Sequence, residues 1–350
     1  MLAAKLQGAS AATGRAPNTI AVAHANFPYV SAYEWQIGVG FGAKYANPAT
    51  TPTGNALGVA FTSDGSAIAV SHLTSPFISA YPWSGSGFGT KFSNPATLPP
   101  STGRACSFNR ENTVLAVVHN NSPYISVYPW SESGFGTKYA DPSTPPTSNG
   151  NGVAFSLDGS AIAIAHEVTP FISIYPWSGS GFGTKFTNPA TLPTAGGNTV
   201  AFAPDGSAVA VAHDSSPFVT AYPWSSSTGF GTKYANPATL PSNTGSGIAF
   251  SPDGAAIAIA HSSSPYITAY PWSGSGFGTK YANPSALPPF TGHGVAFSAD
   301  NSTIALAHDV TPFVTAYPWS PSTGFGSRYP APVTKPANTS FGVAFTSYAV

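Results

Sequence analysis

The sequence contains few charged residues. Asp, Glu, Lys and Arg make up 7% of its 350 residues, against about a quarter in ordinary soluble proteins. Twelve basic and twelve acidic residues give a formal net charge of zero. A chain without excess positive charge lacks the basic surface that binds nucleic acid or an anionic membrane. We therefore predict no nucleic-acid partner and no membrane insertion.

Cysteine and long apolar runs are also nearly absent. Cys106 is the single cysteine, so no internal disulfide can form, and no Cys/His spacing matches a structural zinc site. No apolar run approaches the ~20 residues that cross a bilayer, and residues 1–17 lack the apolar core of a secretory signal. We expect a soluble chain without metal or cofactor, which is cytoplasmic or reaches the exterior by lysis or a dedicated route.

Repetition is the dominant feature. Seven tryptophans recur every 47 or 48 residues, and a histidine lies 11 residues before each of them. A period just below 50 with short strand signals is typical of a propeller. The repeated residues are Trp35, Trp83, Trp130, Trp177, Trp224, Trp272 and Trp319, with His24, His72, His119, His166, His213, His261 and His308.

Each unit contains four strand signals, which we name a (GVAF), b (AIAIAH), c (YITAYPW) and d (FGTKY). Asp158-Gly159 between two apolar runs is a strong hairpin signal. Strand b alternates small with branched residues, as in residues 161–165, so both of its faces are apolar. Blades stacked around an axis require this pattern, because the large face of one blade can pack into the small face of the next.

The ends of the chain predict how the ring closes. The first unit starts at strand b (residues 19–24), and the chain finishes with a lone strand a (residues 341–345). The sequence therefore predicts an all-β, seven-bladed β-propeller with four antiparallel strands per blade, in which the C-terminal strand completes the first blade. Residues 1–13 are predicted to form an N-terminal arm, and residues 14–350 the propeller.

Two family resemblances follow from these motifs. The SPDG turn after GVAF, the AIAIAH strand and the strand ending in Trp resemble the WD-repeat family over residues 14–350. The terminal dipeptide is Pro82-Trp83 rather than Trp-Asp, and Gly-His occurs only at Gly292-His293, so the hydrogen-bonded tetrad of that family is not carried over. The unit H-x-x-x-P-[FY]-[IV]-[ST]-x-Y-P-W followed by GFGTKYANPATLP is similar to repeats of uncharacterised propellers from tailed bacteriophages.

The repeated histidines and tryptophans are predicted to be structural. Equivalent residues on adjacent blades should lie ~10 Å apart, whereas zinc requires ligand nitrogens at about 2.0–2.1 Å. We expect each histidine to form hydrogen bonds near the loop between strands b and c. The lysine repeated in strand d is predicted to pair with the aspartate of an a–b turn.

Catalysis is predicted to be absent. The acidic residues that break the repeat scatter over different blades, and no spacing brings two of them together as a general acid and base. From the Phe of strand d to the Phe of the next strand a is always 20 residues, as from Phe88 to Phe108, whereas catalytic propellers usually graft a site onto unequal loops. The repeat-breaking acids are Glu34, Glu132, Asp141, Glu167, Asp214 and Asp309.

The leading hypothesis is a non-enzymatic binding or structural disc in a bacteriophage virion, as a fibre, decoration or tail-associated propeller. Its predicted partners are other virion proteins or a glycan or protein of the host surface. The b–c and d–a loops share one face, and the binding candidates are residues that break the repeat there, namely Pro100, Arg104, Phe290 and His293. The alternatives are a glycan-binding lectin with repeated sites and, ranked lower, a hydrolase or lactonase that uses the central channel.

Overall fold

The computed structural model describes residues 18–346, which contain strands and no helix. The predicted arm of residues 1–13 lies outside this range. In chain order the strands are β1 (Thr19–His24), β2 (Val30–Gln36), β3 (Gly40–Lys44), β4 (Ala56–Phe61), β5 (Ala67–His72), β6 (Ile78–Ser84), β7 (Gly87–Phe88), β8 (Gly103–Phe108), β9 (Val114–His119), β10 (Ile125–Ser131), β11 (Gly134–Phe135), β12 (Gly150–Phe155), β13 (Ala161–His166), β14 (Ile172–Ser178), β15 (Gly181–Phe182), β16 (Gly197–Phe202), β17 (Ala208–His213), β18 (Val219–Ser225), β19 (Gly229–Phe230), β20 (Gly245–Phe250), β21 (Ala256–His261), β22 (Ile267–Ser273), β23 (Gly276–Phe277), β24 (Gly292–Phe297), β25 (Thr303–His308), β26 (Val314–Ser320), β27 (Gly324–Phe325) and β28 (Ser340–Phe345).

These strands form seven four-stranded antiparallel sheets. Blade 1 has the order β28-β1-β2-β3, and blades 2 to 7 each consist of four successive strands from β4 to β27. Strand β28 pairs with β1, with Val343 opposite Val22, so the C-terminal strand completes the first blade. The predicted seven-bladed propeller and its mode of closure are confirmed. Strand a of every blade lies innermost and forms the wall of the central channel.

The core lies between adjacent blades. Every residue of strand b is buried in all seven blades. In the cluster between blades 4 and 5, Ala161 and Ala163 pack with Val209 and Val211. The small face of one blade thus receives the branched face of the next, as the alternation in strand b predicts. This complementarity removes apolar surface from water on both faces of each sheet, at about 25 cal/mol per Å².

The repeated tryptophan joins two blades near the outer part of each interface. Trp177 makes edge-to-face contacts with Phe182 of its own strand d at 5.0 Å and with Phe155 of its own strand a at 5.9 Å. It also contacts Tyr139 of the preceding blade at 5.1 Å. Such pairs contribute about 0.5–1.5 kcal/mol each beyond burial of their area.

The repeated histidine joins strands b and c where the b–c loop begins. In blade 4, Nδ1 of His166 donates to the carbonyl oxygen of Val168 at 2.8 Å, so Nε2 accepts a hydrogen bond from Oγ of Ser173 at 3.0 Å. The imidazole is fully buried, and this desolvation lowers its pKa to about 4. The histidine is therefore neutral at pH 7. Among residues 18–346, no group of three or more His, Cys, Asp or Glu side chains could hold a metal ion.

The repeated lysines, which follow the two-residue fourth strand in blades 2 to 6, do not pair with the turn aspartates as the sequence led us to expect. Nζ of Lys233 donates to Oδ1 of Asn236 at 2.5 Å, three residues further along the chain. The turn carboxylate of Asp158 accepts from Oγ of Ser156 and Ser160 in its own turn. The prediction is wrong because groups such as Lys233 and Asp158 find partners within their own loops, which requires less ordering of side chains than a distant ion pair.

Candidate functional site

Each strand a contains a β-bulge near its start. In blade 4, Gly150 pairs with His166 and Gly152 with Ala165, so Asn151 is the extra residue. A bulge interrupts the ladder and redirects the side chain of the extra residue. All seven bulged residues line one cavity at the end of the channel that also carries the b–c and d–a loops: Leu57, Arg104, Asn151, Asn198, Ser246, His293 and Phe341.

Glycines beside the bulges allow adjacent blades to approach closely at the channel. A Cβ atom on Gly247 would lie 2.5 Å from the carbonyl oxygen of His293, and a Cβ on Gly150 would lie 2.7 Å from that of Tyr124. Real Cβ atoms do not approach so closely, so these positions need glycine. Asn151, for example, lies between Gly150 and Gly152, and its side chain forms part of the channel wall.

The residue after each repeated histidine is a second variable position at the same end of the channel. It lies there because the start of strand a pairs with the end of strand b, as Gly150 does with His166. Three of these residues are repeat-breaking carboxylates, which the ring of blades brings to the same end of the channel although they belong to different blades. The seven residues are Ala25, Leu73, Asn120, Glu167, Asp214, Ser262 and Asp309.

His293 and Asp309 form a hydrogen-bonded pair in blade 7. Nε2 of His293 lies 2.6 Å from Oδ1 of Asp309, and both side chains are partly exposed. Because a carboxylate only accepts, Nε2 carries the proton and Nδ1 is left as an acceptor in the neutral imidazole. Within residues 18–346 no side chain or backbone group donates to Nδ1. The ring packs beside Phe341, with centroids 5.3 Å apart.

Arg104 lies in blade 3, across the channel from blade 7. Its Nε donates to Oδ1 of Asn120 at 2.6 Å, and one terminal nitrogen lies 3.7 Å from Oε1 of Glu167. Oε2 of Glu167 accepts from Nδ2 of Asn149 at 3.0 Å. Residues of two blades thus hold the guanidinium group. Among the cavity-lining residues that the structure describes, Arg104 has the only side chain with a permanent positive charge.

Two asparagines complete the polar wall. Nδ2 of Asn198 donates to Oδ1 of Asp214 at 2.7 Å, which fixes that carboxylate at the cavity. Nδ2 of Asn151 donates to the carbonyl oxygen of Gly197 at 3.0 Å. Oδ1 of Asn151 is buried and has no hydrogen-bond partner. A buried acceptor without a partner costs free energy.

The cavity has a volume of about 490 Å³, which is within the usual range for small-molecule sites. Its titratable lining residues are Arg104, Cys106, Asp214 and His293; Glu167 lies 3.7 Å from Arg104, and Asp309 is hydrogen-bonded to His293. An acid, a base and a cation therefore meet around one small cavity, an arrangement that can transfer protons and stabilise a developing negative charge.

The other end of the channel has a different composition. Its cavity of about 720 Å³ is bounded by phenylalanines such as Phe108 and Phe297, with Arg110 as the charged residue among those that line it. It contains no carboxylate or imidazole among its described lining residues.

The four predicted binding residues separate into two pairs. Arg104 and His293 both line the polar cavity. Pro100 is exposed in the d–a loop between blades 2 and 3, and Phe290 stacks on Tyr266 with ring centroids 6.0 Å apart. A binding role for Pro100 and Phe290 stays a prediction.

Sequence reasoning missed Asn151, Asn198, Asp214 and Asp309 as members of this site. The signal was available in the motif [GAS]-x-[small]-[VIC]-[AS]-F of strand a, in which the residue x differs between most repeats. Comparing the repeats position by position would have found these variable residues. The sequence could not show that a bulge turns residue x into the channel.

No protein-family model matches the chain, and no curated protein matches it significantly. Solved structures share its fold. A protein of Bacteroides fragilis assigned as a 6-phosphogluconolactonase superposes with a TM-score of 0.77 at 13% identity, over 95% of this chain and 99% of that one. A counterpart from Bacteroides uniformis gives a TM-score of 0.74 at 13% identity, over 94% and 99%. The periplasmic gluconolactonase of Pseudomonas aeruginosa gives 0.66 at 12% identity, over 95% and 100%.

These similarities correct the functional hypothesis drawn from the sequence. The expected non-enzymatic virion disc is wrong, because the propellers that this chain resembles in structure include proteins named as lactonases, and none of those reported above is a phage or WD-repeat protein. Equal loops do not exclude catalysis here. The cavity is built from bulged side chains of strands, which can differ while every loop keeps its length.

The virion location and virion partners depended on that hypothesis and have no support from these similarities. The described residues, 18–346, contain no long apolar helix that could cross a membrane.

Proposed function

We propose that this protein is a hydrolase that opens a lactone ring at the cavity lined by the bulged residues. The His293–Asp309 pair carries the proposal, because Asp309 holds the imidazole in the tautomer whose Nδ1 can accept a proton. The lactonase names of proteins with the same fold support the reaction class. The similarity in sequence is too low to transfer their substrates.

In the proposed reaction, a water molecule bound between His293 and the lactone is the nucleophile. Nδ1 of His293 takes a proton from the water while its oxygen attacks the carbonyl carbon. The carboxylate of Asp309 stabilises the imidazolium that forms. The tetrahedral intermediate then collapses, the ring C–O bond breaks, and His293 returns the proton to the leaving oxygen, which gives a hydroxy acid.

Arg104 is the group best placed to stabilise the oxyanion. It lies in blade 3 and His293 in blade 7, so that the two residues face the cavity from opposite sides of the ring. A fixed positive charge at the developing alkoxide lowers the barrier without further reorganisation.

The test is hydrolysis of γ- and δ-lactones by the purified chain, with the release of acid measured in a pH-stat. We expect turnover above the uncatalysed rate, and loss of that turnover in His293→Gln. The control variant Glu132→Gln changes an exposed acid in a c–d turn and should keep full activity. Equal activity of His293→Gln and the unmodified protein would reject the proposal.

A further inference from the structure

The cavity lined by the bulged residues has an apolar sector and a polar sector. Blades 1 and 2 contribute Phe341 and Leu57 to its wall, whereas blades 3 to 7 contribute Arg104, Asn151, Asn198, Ser246 and His293. The second variable position follows the same division. It is occupied by Ala25 and Leu73 in blades 1 and 2, and by polar or acidic residues in the other five. A ligand that fits this wall has one apolar side and one polar side.

The charges at the cavity are unfavourable for an anionic ligand. Three carboxylates, those of Glu167, Asp214 and Asp309, lie at or directly behind its wall, against the single guanidinium of Arg104. Arg104 supplies one positive charge to this wall, and its guanidinium lies 3.7 Å from the carboxylate of Glu167. A phosphate dianion would meet more negative than positive charge in this partly desolvated site.

We infer that the site selects an uncharged lactone that bears an apolar substituent, and that it discriminates against phosphorylated sugar lactones. This inference rests on the proposed lactone hydrolysis. The substituent would lie against Phe341 and Leu57, while the carbonyl group lies between His293 and Arg104. Because Phe341 packs beside His293, with ring centroids 5.3 Å apart, the apolar sector begins next to the proposed base.

The experiment compares kcat/KM for three probes: δ-decalactone, glucono-δ-lactone and 6-phosphoglucono-δ-lactone. We expect δ-decalactone to exceed the phosphorylated lactone by at least about tenfold, with gluconolactone between them, since an apolar contact of a few methylene groups is worth about that much discrimination. A phosphorylated lactone that is hydrolysed as well as δ-decalactone overturns the inference.

Two variants of the apolar sector test its apolar contact and the charge of the wall separately. Phe341→Ala should lower kcat/KM for δ-decalactone about tenfold and for gluconolactone much less. Leu57→Arg should raise the activity toward 6-phosphogluconolactone relative to δ-decalactone about tenfold, because it adds a cation to the wall. Leu157→Ala removes an exposed leucine at the opposite end of the channel and is the matched control, with no expected change. Equal losses on all probes in Phe341→Ala contradict an apolar subsite.

Binding of the corresponding δ-lactams, measured by calorimetry, separates this inference from the proposed function. If no lactone is hydrolysed but the alkyl lactam binds in preference to the phosphorylated one, and Phe341→Ala weakens it, the inference stands and the hydrolase proposal fails. If lactones are hydrolysed with the phosphorylated one preferred, the hydrolase proposal stands and the inference fails. Absence of both hydrolysis and lactam binding overturns both.

Discussion

The imidazole of His293 and the carboxylate of Asp309 lie 2.6 Å apart, joined through Nε2 and Oδ1, at the end of the channel where strands a and b of blade 7 meet the loops. Blade 7 alone has this pair, because no other repeat carries a histidine at the bulged position. One blade of this repetitive chain thus has a site that the other six blades lack.

The first prediction concerns this pair. His293→Gln should lower kcat for lactone hydrolysis by about 10²–10⁴-fold, the usual contribution of a general base. Asp309→Asn should also lower kcat, because an amide can donate to the imidazole and favour the tautomer that leaves Nδ1 protonated. Initial rates in a pH-stat measure both effects.

The matched control for the pair is Glu132→Gln, which removes an exposed charge far from the cavity. Circular dichroism should show unchanged β-structure in all three variants. Full activity of Asp309→Asn would show that the carboxylate does not position the base.

The second prediction concerns the hydrogen bond between each buried histidine and a hydroxyl group of strand c. Ser173→Ala leaves Nε2 of His166 buried without its partner, which now lies at 3.0 Å. An unsatisfied buried polar group costs about 1–3 kcal/mol, so the urea midpoint should fall accordingly. Ser178→Ala is the matched control, since the side chain of Ser178 is exposed and forms hydrogen bonds only with Ser180 in its turn. Equal midpoints for the two variants would contradict this role of the histidine.

The third prediction is a steep loss of stability in acid. Burial lowers the pKa of His72, His119, His166, His213, His261 and His308 to about 4. Unfolded histidine has a pKa near 6.5, so between these values the unfolded chain binds more protons than the folded one. The free energy of unfolding should therefore have its full value above about pH 6.5. As the pH drops below this value, it should fall by up to about 1.4 kcal/mol per pH unit for each of these histidines.

Urea unfolding at a series of pH values measures this effect. The dependence of the unfolding free energy on pH should correspond to uptake of several protons. His119→Gln should reduce that uptake by about one proton, whatever its effect on stability at pH 7. A midpoint that is constant between about pH 7 and pH 5 would show that the histidines are not held neutral by burial.

The fourth prediction concerns the close approach of strands at the channel. Gly247→Ala places a Cβ atom 2.5 Å from the carbonyl oxygen of His293, so β20 or β24 must shift. Overpacking of this kind costs about 1–3 kcal/mol, and the shift should also lower activity through displacement of His293. Gly274→Ala is the control, because nothing lies within 4 Å of its Cβ position. Thermal unfolding and initial rates should separate the two variants.

Much of the architecture could be predicted from the repeat alone. The regular spacing of Trp177 and its equivalents indicates seven units, and the alternation at residues 161–165 requires burial on both faces. The lone strand at residues 341–345 predicts closure with β1. These features are local or periodic, so one sequence is sufficient to recognise them.

The site could not be predicted in the same way, because its members are far apart in the chain. Arg104 and His293 were recognisable as exceptions to the repeat, but their meeting in one cavity depends on ring closure and on the bulge that redirects each side chain. Asp309 was identified as an acid that breaks the repeat, and only the pairing of β24 with β25 places it beside His293. The sequence by itself determined the number of blades, their strands and their closure, since these follow from periodic burial. The tertiary structure decided which irregular residues share a cavity, since that depends on the register of strands around the axis.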